Sequence, residues 1–436
     1  MSTLQHLLRY GTSTDKKYFQ EYQKYASTIV FNANTICHQS RDNAELLHVD
    51  LHEKEYIIDP RTYAFQMDIE YLAKKDGKGV RQTYQSLLSE YKLPSNLLDN
   101  KNPINPTNIN VLKENNFVHS VLSFQENYLF DNLEDDLKIL VRRSKKNKTP
   151  KFLIAPYFLL KDNIDFWLGV NEDFIKQSLL QKDIYNKSIY AVLLITKEVL
   201  LNDSLIRKIL DVYSKSDGLV FWVNDFNEQN VSGKEIESLI KLVHHYKERN
   251  PQKEIISLYG GYFSQLLYHI GLDGVCHNLV YGEHRSLNPI GSQPTHKYYL
   301  PTIKQKINPF DMINILKNHK LKTKEEFYEK ICNCKVCKKN IDTDKIEEKF
   351  IVYLHDKDPD KMTELSRNNC IRHYLECKVK EFDEIPNQNV REIIESLRQT
   401  YDTYKDKSYL VNTNKVSIDY IKRWCDTLQN YFDGLK

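Results

Sequence analysis

The sequence has few glycines and few prolines, with 13 of each among 436 residues, and no internal repeat of fixed period. Repeat architectures are therefore disfavoured. It also lacks an apolar run near the roughly 18 residues that a membrane span needs, since the longest stretch, 152–170, is interrupted by Lys161 and Asp162. The first thirty residues contain no apolar core of signal-peptide length. We therefore expect a soluble, cytoplasmic protein with no membrane partner.

Neither sign of charge dominates the chain. Lys+Arg total 62 and Asp+Glu total 59, which leaves a net charge of +3. No overall field therefore drives binding to nucleic acid or a membrane. A local basic patch remains open at 142–148, which is a solvated loop by default and a phosphate-contacting patch as the alternative. Further candidates for phosphate contacts precede the cysteine motif, namely Lys304, Lys306, Lys317 and Lys320. Hydrophobic residues at 41% and aromatics at 11% supply enough apolar surface for a large core, so global disorder is excluded.

Short apolar runs rich in β-formers alternate with segments of helical periodicity, such as 206–213 and 236–246. This alternation is typical of a parallel α/β sheet, and about eight strands indicate a (β/α)8 barrel of TIM type. We predict that residues 1–320 form the barrel and that residues 321–436 form a C-terminal zinc-binding helical domain. The predicted strands are Thr28–Phe31, Glu55–Ile58, Phe152–Ala155, Ala191–Ile195, Gly218–Val223, Glu254–Leu258, Gly274–Val280 and Tyr298–Ile303.

The most specific local pattern is Cys332-Asn333-Cys334-Lys335-Val336-Cys337, which gathers three of the eight cysteines within six residues. Thiolates at this spacing can converge on one zinc ion, and four protein ligands would make the site structural. For the fourth ligand we favour His373, because a mixed thiolate and imidazole shell suits structural zinc. Cys370 and Cys377, which share its face of a predicted helix, and the more distant His355 are alternatives. Reduced cysteines without metal are the other interpretation.

The cysteine motif followed by a helix-borne histidine, after a barrel of this size, resembles the zinc subdomain of the tRNA-guanine transglycosylase (queuine tRNA-ribosyltransferase) superfamily. The segment Tyr56-Ile57-Ile58-Asp59-Pro60-Arg61-Thr62 resembles the strand end that carries the first catalytic aspartate of that family. Its later barrel strands resemble Tyr259-Gly260-Gly261 and Gly271-Leu272-Asp273-Gly274-Val275. The segments Tyr281-Gly282-Glu283 and Tyr298-Tyr299-Leu300-Pro301 are closer to a divergent branch, the 7-deazaguanine DNA transglycosylases.

This resemblance implies a pentosyltransferase that replaces guanine in nucleic acid with a 7-deazaguanine derivative, with DNA preferred over tRNA. It also implies structural zinc and allows for partner proteins of a modification system. Two features depart from the family. The interval from Cys337 to His373 is 36 positions, longer than usual, and Cys276 stands where the family's nucleophilic aspartate is expected.

Base exchange with retention requires a carboxylate that attacks the anomeric carbon and an acid that assists the leaving base. Asp59 and Asp225 each end an apolar strand and would project at the carboxyl face of the barrel, where active sites lie. We predict Asp225 as the nucleophile and Asp59 as the acid/base or base-orienting group, with Asp273 as an alternative nucleophile. Capping of a helix or turn is the structural alternative for Asp59 and Asp225. The candidate substrate-binding residues are Gly260, Gly261, Glu283 and Arg285.

Two other functions remain open from the sequence. The substitution at Cys276 favours a catalytically silent member of the superfamily, which would act as a nucleic-acid-binding or partner-supporting scaffold. Hydrolysis of a free nucleoside would use the same carboxylates without a groove for a polymer.

Overall fold

Eight parallel strands form a nearly closed barrel in the computed structural model of the chain, which confirms the predicted (β/α)8 fold. The order around the sheet is β3-β2-β1-β8-β7-β6-β5-β4. The two outer strands meet where the backbone N–H of Lys151 donates to the carbonyl of Tyr56 at 2.8 Å. The structure describes residues 3–11, 13–51, 53–74, 79–94, 97, 103–143, 148–279, 283–287, 297–354 and 364–434. The strands are β1 Gln5–Arg9, β2 Thr28–Asn32, β3 Glu55–Asp59, β4 Leu153–Ile154, β5 Ile189–Ile195, β6 Gly218–Val223, β7 Ile255–Ser257, β8 Gly274–Asn278, β9 Tyr298–Leu300 and β10 Gln305–Ile307.

Helices connect the strands and form most of the region after the barrel. Among the described residues, none of them is both long and apolar enough to span a bilayer. The α-helices are α1 Lys16–Tyr22, α2 Ala33–His38, α3 Ser40–Glu45, α4 Ile69–Leu72, α5 Gln82–Glu90, α6 Asn110–Glu114, α7 Phe117–Asp131, α8 Asp135–Arg143, α9 Ile164–Leu179, α10 Lys182–Tyr185, α11 Lys197–Leu200, α12 Asp203–Tyr213, α13 Gly233–Arg249, α14 Tyr262–Leu266, α15 Pro309–His319, α16 Lys324–Lys330, α17 Lys335–Asn340, α18 Ile346–Leu354, α19 Glu364–Glu384, α20 Val390–Tyr404 and α21 Asp419–Gly434. Short helical turns cover Ser13–Asp15, Gln23–Tyr25, Leu46–Asp50, Thr62–Gln66, Leu267–Ile270, Ile385–Asn387 and Ser408–Leu410.

Two strand predictions differ from the structure. The first barrel strand is β1, whose polar His6 and Arg9 hide its strand character in the sequence. The predicted strand at Tyr298–Ile303 is not part of the barrel, because β9 pairs antiparallel with β10 in a separate two-stranded sheet. Its residues are apolar because they pack beneath the C-terminal region, where Tyr298 and Tyr299 are fully buried.

The pairing register separates the barrel interior from its outer surface. Arg9 on β1 reaches Asp59 on β3, although β2 lies between the two strands, so both side chains face the interior. Side chains alternate along a strand, and those of His6 and Leu8 therefore face outwards. Arg9 and Asp59 are the last residues of their strands, which places them at the carboxyl-terminal mouth of the barrel.

Helix α19 covers the outside of β1 and β8 and thus connects the barrel with the C-terminal region. The ring of Phe382 on this helix stacks on His6 with centroids 4.0 Å apart, and Tyr374 is 3.2 Å from the Nδ1 atom of His277. Helix α21 also contacts the barrel, since the indole N–H of Trp424 donates to the carbonyl of Glu228. The proposed domain boundary at residue 320 remains a prediction.

Candidate functional site

Asp59 lies at the barrel mouth, at the end of β3, and is almost fully buried, with 1% of its side chain exposed. Its Oδ1 atom accepts hydrogen bonds from the hydroxyl of Tyr157 at 2.7 Å and from the backbone N–H of Arg61 at 3.1 Å. Its Oδ2 atom lies 3.3 Å from the guanidinium of Arg9. Every one of these neighbours donates to the carboxylate, so Asp59 is held in one position as the acceptor of three hydrogen bonds.

The turn after β3 has an unusual backbone conformation. Arg61 has φ 57°, in the left-handed region that a residue with a side chain rarely adopts. Its side chain is 2% exposed, donates to the hydroxyl of Tyr259 at 3.4 Å and lies over the ring of Tyr63 at 4.9 Å. The turn therefore aims Arg61 into the mouth beside Asp59.

Tyr259, which follows β7, connects two of the basic side chains. The guanidinium of Arg9 lies 4.4 Å from the centroid of its ring, and Arg61 contacts its hydroxyl. Arg285 follows β8 and extends the same cluster. Burial alone would raise the pKa of Tyr71, but the charges of Arg61 and Arg285 outweigh burial and lower this pKa to about 8.

The other two predicted catalytic aspartates do not join Asp59 in the buried mouth. Asp225 lies in the turn after β6, is exposed and has φ 57°. Its backbone N–H donates to the carbonyl of Arg285 at 2.8 Å, so it stands on the rim of the carboxyl face. Asp273 precedes β8 and lies at the opposite end of the barrel. There it accepts from the backbone N–H of Ile255 at 2.7 Å and pairs with Lys247 at 2.8 Å, so it cannot share a pocket with Asp59.

Gly260 and Gly261 are needed for close packing. A Cβ atom at Gly261 would lie 2.5 Å from an oxygen of Glu283 and 2.7 Å from an oxygen of Glu228. Glu228 also accepts from the backbone N–H of Gly261 at 2.8 Å. A Cβ atom at Gly260 would lie 2.6 Å from the Cβ atom of Ser264. Burial and the charge of Glu283 raise the pKa of Glu228, although the hydroxyl of Ser264 opposes this effect.

Glu283 is engaged by the C-terminal region. Its Oε1 atom lies 2.9 Å from the ammonium of Lys378 and accepts from the hydroxyl of Tyr374 at 2.9 Å. Lys378 is completely buried and also lies 3.0 Å from Glu381, which Lys304 approaches at 3.3 Å. These contacts fasten α19 to the loop after β8. Glu283 therefore has an architectural role in addition to any contact with a substrate.

Cys276, at the position where the family's aspartate is expected, faces the same interior. It is completely buried, and burial raises the pKa of its thiol to about 11 despite the opposing charge of Arg9. At neutral pH this thiol is protonated and a poor nucleophile.

The predicted metal cluster is assembled between the knuckle before α17 and helix α19. The Nδ1 atom of His373 lies 3.8, 3.3 and 3.4 Å from the sulfur atoms of Cys332, Cys334 and Cys337, respectively. All four potential ligand atoms lie within 4.8 Å of one another, and three of the residues are buried. This cluster could hold a metal ion.

Surrounding groups orient the cluster. The Nε2 atom of His373 is 2.6 Å from the carbonyl of Tyr299, which leaves Nδ1 directed at the sulfur atoms. The ring of Tyr298 stacks on that imidazole with centroids 4.1 Å apart, and its hydroxyl is 3.3 Å from the sulfur of Cys337. Backbone carbonyls that fix a histidine tautomer are common around protein metal sites. The β9 strand that was expected in the barrel therefore supports this cluster.

The alternative fourth ligands have different positions. The sulfur of Cys377 lies 3.7 Å from His373 Nδ1 and 3.9 Å from the sulfur of Cys332, so it is as close to the imidazole as Cys332 is. Cys370 is buried outside the group, and burial raises the pKa of its thiol to about 12. His355 lies outside the described residues.

A second group of potential ligands, His244, His245 and Glu248, lies on α13. His245 already contacts Asp203 at 3.1 Å, and His244 contacts the hydroxyl of Tyr431 at 2.8 Å. These contacts tie α13 to neighbouring helices, so packing accounts for both histidines.

The basic residues that were considered for phosphate contacts are mostly engaged elsewhere. Within 142–148, positions 144–147 lie outside the described residues, and Lys148 donates to the carbonyls of Leu51 and Lys54. Lys317 pairs with Glu347 at 3.1 Å. Lys320 is exposed. Lys306 lies over the ring of Tyr374 at 3.7 Å.

Sequence reasoning missed several residues of the mouth. Arg9 and Tyr157 were hidden because neither belongs to a recognisable motif, and Arg61 and Tyr259 were noted only as neighbours of other candidates. An arginine at the end of an apolar strand is the signal that could have identified Arg9. In comparisons with known proteins, no family model and no curated protein matches the chain.

Proposed function

We propose that the chain is a pentosyltransferase of the transglycosylase type, which exchanges guanine for a 7-deazaguanine derivative in nucleic acid, with DNA preferred over tRNA. The observation that carries this proposal is the position of Asp59, a buried carboxylate at the barrel mouth that is held by Arg9 and Tyr157. The sequence resemblance of this strand end and of the cysteine motif supports the same reaction.

Base exchange requires a fixed negative charge beside the sugar. The anomeric carbon becomes positively charged as the base leaves, and a carboxylate can stabilise this charge or attack the carbon. Asp59 suits the first of these roles because its donors prevent it from turning away. We propose Asp225, at the rim, as the second carboxylate and the candidate nucleophile. Tyr259 offers a partly exposed aromatic ring near the same position, which suits a flat base.

We propose zinc as the metal of the cysteine and histidine cluster. Tetrahedral zinc, with Zn–S near 2.3 Å and Zn–N near 2.0–2.1 Å, requires separations of about 3.6 Å between sulfur and nitrogen ligands. The three distances from His373 Nδ1, from 3.3 to 3.8 Å, fit this requirement. Zinc would have a structural role, because four protein ligands leave no open position. It would stabilise α19, which contributes Lys378 and Tyr374 to the region beside the mouth.

The experiment incubates the purified protein with labelled guanine or a labelled 7-deazaguanine, and with single-stranded DNA and tRNA in separate reactions. Label that enters DNA supports the proposal, and label that enters only tRNA moves the substrate to the other polymer. Label in neither polymer rejects base exchange. Release of free base from a nucleoside would then indicate a hydrolase.

A catalytically silent scaffold is the second candidate, and Cys276 is the observation that favours it. A buried, protonated thiol cannot replace the aspartate that the family uses as its nucleophile. This candidate predicts binding of nucleic acid or of partner proteins without incorporation of label.

A further inference from the structure

Three arginines at the barrel mouth carry more positive charge than the surrounding side chains neutralise. Arg9 ends β1, Arg61 follows β3 and Arg285 follows β8. Among the described residues, Asp59 alone forms an ion pair with any of them, at 3.3 Å from Arg9. Guanidinium groups stay charged in proteins, so three positive charges face one carboxylate and two remain uncompensated.

The same arginines have donors without acceptors. The Nε atom of each of the three is buried and has no hydrogen-bond partner within the described part of the chain. Arg9 and Arg61 are 1% and 2% exposed, whereas Arg285 is partly exposed. Folded proteins rarely leave buried donors unpaired, and an ion or ligand that completes the set is a common explanation.

The nature of the missing acceptor follows from charge and geometry. The planar fork of a guanidinium matches the oxygens of phosphate or carboxylate groups. A phosphate monoester carries about −1.5 to −2 charges at pH 7 and would offset both uncompensated positive charges, whereas each phosphodiester of a nucleic-acid strand carries a single negative charge and would offset one of them. Burial strengthens the attraction because the local dielectric constant is lower than that of water.

We propose that Arg61 and Arg285, together with Arg9, form a binding site for a phosphate group of the substrate. The site would be needed whether the reaction at Asp59 is base exchange, hydrolysis or neither, so the inference goes beyond the proposed function. The phosphate belongs either to a nucleic-acid strand or to a mononucleotide. A purely structural role for these arginines predicts the opposite effect on stability, since structural arginines stabilise the free protein.

The test measures binding by calorimetry and stability by thermal unfolding on the full chain. The probes are inorganic phosphate, deoxyguanosine 5′-monophosphate and a short single-stranded oligodeoxynucleotide, with deoxyguanosine as the matched ligand that lacks phosphate. The variants are Arg61→Gln and Arg285→Gln. The control is Arg207→Gln, an exposed arginine that pairs with Asp203 at 3.0 Å on α12.

We expect a phosphate-bearing probe to bind at least about tenfold more tightly than deoxyguanosine, and each mouth variant to weaken it at least about tenfold. Arg207→Gln should bind as the wild type does. The unfolding temperature of free Arg285→Gln should stay the same or rise, because an uncompensated charge has been removed. Preference for the mononucleotide or for the oligonucleotide identifies the source of the phosphate, and either result supports the site.

Equal affinity of wild type and Arg285→Gln for every phosphate-bearing probe overturns the proposal, and so does the absence of binding by all of them. Arg285 is partly exposed, so this variant decides the question even if Arg61→Gln fails to fold. Phosphate binding that persists without incorporation of guanine would reject the proposed function and leave this inference standing.

Discussion

The buried ammonium of Lys378 should be a major source of cohesion between the barrel and the C-terminal region. It lies 2.9 Å from Glu283, on the loop after β8, and 3.0 Å from Glu381, one turn further along α19. Lys378→Met removes the cation and keeps much of the apolar stem. Glu381 retains Lys304 at 3.3 Å, whereas Glu283 retains only the hydroxyl of Tyr374 among these polar contacts.

The expected cost follows from this geometry. Removing one partner of a buried ion pair costs about 3–5 kcal/mol because the other charge stays buried. Lys304 still compensates Glu381, so we expect about 3 kcal/mol. With an unfolding entropy of about 2.1 cal/mol/K per residue, 436 residues give about 0.9 kcal/mol/K. If the chain unfolds as one unit, its unfolding temperature should therefore fall by about 3 °C.

The assay is thermal unfolding followed by circular dichroism, with two comparisons. Lys380→Met, two residues further along α19, removes an exposed lysine that is 3.6 Å from Glu384 and should have little effect. Adding Glu283→Gln to Lys378→Met removes the negative charge that has lost its partner, and should restore part of the unfolding temperature. An unchanged unfolding temperature in Lys378→Met, or a double variant that is no more stable than Lys378→Met, would refute the reasoning.

Three further predictions concern the metal, acid and salt. The purified protein should contain one zinc per chain, and Cys334→Ser should lose it while Cys370→Ser keeps it; metal analysis that finds the reverse would remove Cys334 from the ligand set. Although burial alone would raise the pKa of Glu381, the charges of Lys378 and Lys304 outweigh burial and lower it. Glu381 therefore contributes stability above its unfolded pKa of about 4.3, and this contribution is lost as pH falls through the lower folded value. The stability difference between wild type and Lys378→Met should accordingly shrink on acidification, and a constant difference would count against the pairing. Affinity for a single-stranded oligonucleotide, measured by fluorescence anisotropy, should fall steeply with salt and exceed that for duplex; salt-independent binding would argue against phosphate contacts.

The barrel was predictable because its strands are apolar on both faces, as in β5 and β6, where every residue is buried. Strand β1 was not predicted because two of its residues are polar. His6 packs against α19 and Arg9 lies in the mouth, so both are buried by partners that are distant in sequence. Strand β9 was wrongly assigned to the barrel for the opposite reason. Its buried rings pack against the C-terminal region, Tyr298 on His373 and Tyr299 on Tyr374.

The candidate sites also differed in how far the sequence could predict them. The cysteines indicated the metal cluster because three ligands are local in sequence. His373 was then favoured as the fourth ligand because a mixed thiolate and imidazole shell suits structural zinc. The arginine cluster could not be predicted, because Arg9, Arg61 and Arg285 are brought together only when the barrel closes. Asp273 directly precedes the strand predicted at Gly274–Val280, and β8 does begin at Gly274. Its position at the opposite end of the barrel from Asp59 therefore followed from the predicted strand limits, but the resemblance of its segment outweighed them.

The most direct test of the account is the rate at which labelled guanine enters single-stranded DNA in the wild type and in Asp59→Asn. Asp273→Asn, at the opposite end of the barrel, is the matched control. We predict incorporation by the wild type, a loss of at least about 100-fold in Asp59→Asn and a near-normal rate in Asp273→Asn, with zinc content unchanged in both variants. A wild-type rate in Asp59→Asn would contradict the assignment of the barrel mouth as the site of the reaction.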